Sequence, residues 1–525
     1  MSSNGSIVDE SVQVSQSRSE GSFFDRVDMF ILKFSCVFIV AFLGWALLDS
    51  DNMGDSMKTI FHFVTNQLGS FYLFTGVFFV LFAIWLGFGP YGNVKLGKED
   101  EKPRFSYLSW FTMTFACGYG IGVVFWVAAE PLNFLASPPF GLEPMSKEAT
   151  EIALSYAFFH WGWTPWAIYL AISAPLAYIM YRKGQPPKFS IMLRPYLGKK
   201  VDGPIGKTVD TFLILGTIFG IITSAGLGIK QLLGGLDFVF GIETSTTLTI
   251  GIALLWFCIY TFSTVSGLDK GIKVLSNINI PLTMILMLIV FLIGPSRFIM
   301  DYFSNSLGEY VYNFPKMSFW TDPVGKGGFP QGWTTFYWAW WIACAPATGL
   351  FIATTSRGRT IKEVVIMHMT VAPFATWAWF ATIGGTAVFQ QTVQGIDLVG
   401  AMKSGGGDIV YTVLANLPMG TTLTVMFMAL VVLFLSTTLD SFSYVCAQVM
   451  TPVDKNPETP HVGLRLFWST TIGGISLILL LVGKGITGLQ LSSIAASLLI
   501  IFIMIAICFS MVKMLKEEEG TINRN

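Results

Sequence analysis

Roughly twelve stretches of this chain are apolar over about 20 residues each, the length an α-helix needs to cross the hydrocarbon layer of a bilayer. They lie near 28–48, 71–90, 106–135, 151–180, 208–233, 246–266, 275–297, 333–355, 364–389, 419–444, 464–484 and 490–513. With no water in that layer to satisfy backbone groups, spanning segments are helices or closed barrels, and these runs are too long and too evenly apolar for barrel strands, which alternate. The rest of the composition agrees: 53% of the 525 residues are hydrophobic and 12% charged, with a mean hydropathy of +0.62. The fold class is therefore an all-α integral membrane protein, one polytopic domain over 26–515, with polar tails at 1–25 and 516–525.

Charge placement gives an orientation. The loops after the even-numbered spans hold 18 Lys and Arg, the intervening ones seven. By the positive-inside rule this puts the former loops and both termini in the cytoplasm. The first 25 residues are polar and serine-rich, with no apolar core of a signal peptide, and read as a disordered tail. A net charge of zero with no basic run argues against a nucleic-acid partner. Six cysteines, all within or at the ends of apolar runs, form no CxxC or Cys/His pattern, so neither a disulfide framework nor a zinc site is expected. The loops hold no nucleophile–base pair, metal cluster or nucleotide loop, which argues against an enzyme.

Two spans stand out. The third contains "TFACGYGIGVVFW", with Gly118, Gly120 and Gly122 at alternate positions. Each costs about 0.5–1 kcal/mol relative to alanine in a helix interior, so the run is either a close-packing device or a break. The eighth contains "GWTTFYWAWWIACAPATG", a dense aromatic cluster followed by Pro346. Helices interrupted by Gly or Pro five spans apart are the signature of an inverted-repeat secondary transporter with its site near the bilayer midplane. Unwinding over Gly118–Gly122 would free backbone groups to hold an ion or substrate.

The fourth span adds "FFHWGWTPWAIYL", where Trp166 and Tyr169 share a helix face and Pro165 lies between Trp161 and Trp166. These rings are either core packing or a cage. An aromatic face attracts a desolvated cation by up to about 2 kcal/mol, and cages of them recognise methylated ammonium groups. No acidic residue interrupts either aromatic run, which suits a nitrogen with few or no N–H donors.

The stretches "GYGIGVVFWVAAEPL", "FHWGWTPWAIY", "TDPVGKGGFPQGWTTFYWAWWIACAP" and "TSRGRTIKE" resemble the betaine/carnitine/choline transporter (BCCT) family, from about residue 85 to the end of span twelve. The resemblance implies a LeuT-like fold of twelve helices with repeats in spans 3–7 and 8–12, alternating access, and a homotrimer in a bacterial inner membrane. It implies that Trp161, Trp166, Tyr169, Trp340 and Trp341 form an aromatic box, with Trp333 and Tyr337 at a second, more extracellular position. Carbonyls of Ala116, Tyr119 and Phe434 with the hydroxyls of Thr437 and Thr438 would hold a coupling sodium ion. Hydroxyl and carbonyl oxygens suit such a hard cation, although threonines also bond back to their own helix. Where sodium-independent antiporters of the family carry an arginine this chain has Asn279, and where choline–proton members carry an aspartate it has Gly122. The expected function is a sodium-coupled carrier of glycine betaine, carnitine, choline, trimethylamine or a sulfonium analogue; the alternatives are a sodium-independent or proton-coupled antiporter, or a transporter-like receptor or channel.

Two departures touch the site. Tyr119 replaces the methionine of the common Gly-Met-Gly, adding an aromatic ring that either crowds the site or points away from it. Cys344 stands where betaine carriers have a further tryptophan. Glu130 and Asp440 are the acids within spans; both read as structural, with Asp440 also a candidate for tuning the ion site, and the histidines, His160 included, are expected to form no relay.

Overall fold

A computed structural model describes residues 23–402, 409–455, 457–482 and 486–522. Residues 1–22 of the expected N-terminal tail lie outside them; Phe23–Arg26 form a 3-10 turn. Among the described residues every regular element is a helix, and strand-like pairing is confined to one bridge, Lys95 to Thr360.

Among the described residues, eleven helices are long and apolar enough to cross a membrane. The remaining expected span, the fourth, near 151–180, is divided into Lys147–His160 and Trp163–Ala177, the second piece continuing as a wider turn through Tyr178–Arg182. The cause is local. Gly162 lies outside the helical region (φ −108°, ψ −125°), and Pro165 sits in the first turn of the second piece, where its missing N–H leaves no bond unmade. A Cβ at Gly162 would lie 2.4 Å from the Phe158 carbonyl oxygen, so the break needs glycine.

Span three, Tyr107–Ala136, is continuous except at Gly120 (φ 49°, ψ −139°). The unwinding expected over Gly118–Gly122 is thus confined to one residue, at a φ that glycine tolerates and L side chains avoid. Span eight, Phe336–Thr355, carries Pro346 without interruption, contrary to the expected break, and is preceded by a wider turn over Pro330–Thr335. Membrane helices absorb proline in this way when neighbouring groups satisfy the freed carbonyl.

Span eight is central. It packs along the second piece of span four and against span five, Pro204–Phe240, and span twelve, Ile486–Ile522. Its most apolar window is 100% buried, against 22% for span one, Met29–Leu48, which faces outward. Span ten, Gly420–Met450, lies against spans three and five, and span seven, Lys273–Ile293, against spans three and ten.

The first and last spans both reach the Lys/Arg-rich face near their outer ends. Asp28 pairs with Lys207, and span twelve stays helical through Ile522, where a tail from 516 was expected, so that Glu518 reaches Arg182 and Lys183. On the same face, residues 94–96 bond through their backbone to 358–361, and Arg357 pairs with Glu101 at 2.5 Å. That carboxylate holds the Arg357 guanidinium above its usual pKa.

Candidate functional site

The three glycines of span three are three close approaches. A Cβ at Gly118 would lie 2.7 Å from the Trp166 ring, and one at Gly122 2.9 Å from Trp161 and 3.0 Å from Trp340. At Gly120 it would lie 2.3 Å from the Thr438 hydroxyl of span ten. Gly118 and Gly122 therefore let aromatic rings of spans four and eight rest on bare backbone, while Gly120 lets span ten rest on another side of it.

Those rings assemble as a cage. Trp161 and Trp341 meet edge to face at 4.9 Å, Trp166 and Tyr169 at 5.8 Å, and Tyr169 and Trp341 at 6.2 Å. Trp340 stacks on Trp341 (5.0 Å, 11°), its indole N–H donating to the Gly220 carbonyl. Further bonds fix the geometry: Tyr169 donates to the Gly118 carbonyl at 2.8 Å, and Trp341 to the His160 carbonyl at 3.2 Å. The His160 carbonyl belongs to the last residue of the helix piece before the break, where carbonyls are left without an intrahelical partner. The broken fourth span thus supplies both a wall of the cage and an anchor for another.

Tyr119 points inward. Its ring lies 4.8 Å from Trp166, 5.3 Å from Trp161 and 5.8 Å from Trp341, and its hydroxyl donates to the Trp161 carbonyl. Of the two orientations open from sequence, the structure has the crowding one. Cys344 turns to span five, its sulfur 2.7 Å from where a Cβ on Gly220 would be.

Trp333 and Tyr337 form a second aromatic group with Trp126 and Phe134, at ring separations of 4.9–6.4 Å. Tyr337 joins the two groups, lying 5.6 Å from Trp161 and 5.9 Å from Trp341.

Four of the five expected sodium ligands, the carbonyls of Ala116 and Phe434 and the hydroxyls of Thr437 and Thr438, meet where spans three and ten touch. Thr438 Oγ1 is 2.7 Å from the Phe434 carbonyl and 3.4 Å from that of Ala116; Thr437 Oγ1 is 3.0 Å from the carbonyls of Leu433 and Phe434. Both hydroxyls do bond back to their own helix, but Thr438 also reaches across to span three beside the Gly120 kink. The donor set is uncharged oxygen throughout, the chemistry a hard monovalent cation takes. Asn279, on the span packed against both helices, is fully buried and neutral. Asp440 faces span six, Thr246–Ser266, where Ser263 donates to it.

One part of the site eluded sequence reasoning. Glu130 is fully buried and accepts the Trp161 indole N–H at 2.6 Å and the Tyr337 hydroxyl at 2.7 Å, both on Oε2. Its Oε1 lies 2.7 Å from His160 Nδ1, whose Nε2 lies 3.1 Å from Thr334 Oγ1. An acid inside a span is a functional candidate by default, and that signal stood in "AAEPL".

A family model described as BCCT, betaine/carnitine/choline family transporter, matches residues 30–520. The chain belongs to this transporter family. Its relatives include a probable glycine betaine transporter of Desulfitobacterium hafniense, 34% identical over 94% of this chain and 99% of that protein. An ectoine/hydroxyectoine transporter of Virgibacillus pantothenticus is 36% identical over 92% and 95%. The glycine betaine transporter OpuD of Bacillus subtilis is 36% identical over 91% and 93%. A Na+-coupled sialic acid symporter, solved in a substrate-bound outward-open state, resembles this transporter distantly, at a TM-score of 0.42 and 14% identity over 79% of this chain and 80% of that one.

Proposed function

We propose that this transporter is a sodium-coupled carrier of a small methylated ammonium compound, bound in the cage of Trp161, Trp166, Tyr169 and Trp341 and moved by alternating access. Spans 3–7 and 8–12 act as its two inverted repeats, and it works as a homotrimer in a bacterial inner membrane with both termini cytoplasmic. Trp340 backs the cage, and Trp333 with Tyr337 lines a second station on the same path. The sodium ligands are the carbonyls of Ala116, Tyr119 and Phe434 and the hydroxyls of Thr437 and Thr438. Support comes from the meeting of four of them beside the Gly120 kink and from Asn279, a neutral residue where sodium-independent relatives carry an arginine.

The observation that carries the substrate reading is Tyr119. Its ring takes up room in the cage while offering one more π face, and its hydroxyl is already engaged. That favours a compact trimethylammonium group over one extended by a carboxylate. The test is a set of affinities for trimethylamine, choline and glycine betaine in the parent and in Tyr119→Met. Glycine betaine should gain on trimethylamine in the variant; an unchanged ratio rules the crowding out.

A further inference from the structure

We infer that Glu130 is the counter-charge and positioning residue of the cation cage. This rests on the cage being a cation site, and adds to it the one thing the aromatic rings lack, a formal negative charge.

The geometry requires an acceptor at Glu130. An indole N–H can only donate, and it ends 2.6 Å from Oε2; the Tyr337 hydroxyl comes to the same oxygen at 2.7 Å. With His160 Nδ1 at 2.7 Å from Oε1, both oxygens are engaged by groups from two other spans, all of them buried. In the tautomer that carries its proton on Nδ1, a neutral imidazole donates to Oε1 and accepts at Nε2 from Thr334 Oγ1, 3.1 Å away. Two donors meet on Oε2, and with that tautomer a third meets Oε1, the pattern of an ionised, acceptor-only carboxylate. Such a buried charge is tolerated because it is fully hydrogen-bonded.

Two consequences follow for a cation in the cage. Trp161 and Tyr337 cannot rotate without breaking a charge-assisted bond, so two of the rings around the path are held in place before substrate arrives. The carboxylate also lies at the Nε1 edge of the Trp161 indole, so its field reaches the cage across one ring, in an interior where charges are weakly screened. Hydrogen bonding to an anion loads electron density onto the indole and phenol rings, which strengthens their attraction for an ammonium. Among the described residues Glu130 is the acid hydrogen-bonded to this cage; Asp440 bonds instead to span six.

The test uses the purified full-length protein and calorimetric titration with trimethylamine, choline and glycine betaine, and separately with sodium. Glu130→Gln should weaken the tightest of the three at least about tenfold, the scale of a lost charged hydrogen bond, while sodium affinity stays within about twofold. Glu130→Asp keeps the charge and should recover part of that loss. Tyr337→Phe, which keeps the ring and removes one donor, should weaken binding about threefold or more, and serves if Glu130→Gln does not fold. Unchanged binding in Glu130→Gln, or in Tyr337→Phe where that variant stands in for it, overturns the inference, as does a Glu130→Asp no better than Glu130→Gln. If the parent itself binds none of the three, the cation-site reading has failed first.

Discussion

A single methyl group tests the glycine run. At Gly122 an added Cβ meets the Trp161 and Trp340 rings at 2.9 and 3.0 Å, both held by hydrogen bonds to neighbouring groups, so neither yields freely. Gly122→Ala is expected to cost about 1–3 kcal/mol of stability, as overpacking does, and to weaken substrate binding by displacing a cage wall. Gly474→Ala meets nothing within 4 Å in a helix interior and should be neutral or stabilising by about 0.5–1 kcal/mol. Thermal unfolding of the two variants side by side checks the contrast. At the rings themselves, Trp161→Ala or Trp341→Ala should abolish most binding and Trp→Phe at either position less of it, because a π face survives. Equal binding by the alanine and phenylalanine variants would make these tryptophans packing residues.

At the level of elements, hydropathy located the spans because each is a contiguous run, and a contiguous run is what a bilayer demands. It could not locate the interruptions, which depend on neighbours. Pro346 breaks helices in water but is absorbed within the fully buried span eight, whereas Gly162, unremarked beside its tryptophans, divides span four because the Phe158 carbonyl and Trp377 leave no room for a side chain. The aromatic residues were legible in sequence as dense runs, open between packing and a cage until the family resemblance named the box, and the structure brings Trp161, Trp166, Tyr169 and Trp341 together. The Glu130 network was not, since its members lie on three spans and no periodicity links them. Gly162→Ala puts a methyl 2.4 Å from the Phe158 carbonyl, the acceptor of the Trp377 indole N–H. The expected outcome is a lower unfolding temperature together with weaker substrate binding, because the break that places Trp161 must shift; an unchanged affinity would detach the break from the cage.

For the molecule as a whole, the buried spans three, four, five, eight and ten surround the cage and the oxygen cluster, while spans one and six lie outward. Coupling to sodium predicts that uptake into proteoliposomes fails when potassium replaces sodium on both sides; undiminished uptake would refute it. The Arg357 to Glu101 pair on the Lys/Arg-rich face is half exposed and is expected to contribute no more than about 1 kcal/mol, so Arg357→Gln should alter uptake only several-fold, and less at high salt. Between the two halves of the site lies span three, with aromatic rings against Gly118 and Gly122 and the Thr438 hydroxyl against Gly120. At these three positions, what separates the oxygen cluster from the cage is therefore the bare backbone of span three. A displacement on either side of so thin a wall is felt on the other without a relay of intervening residues.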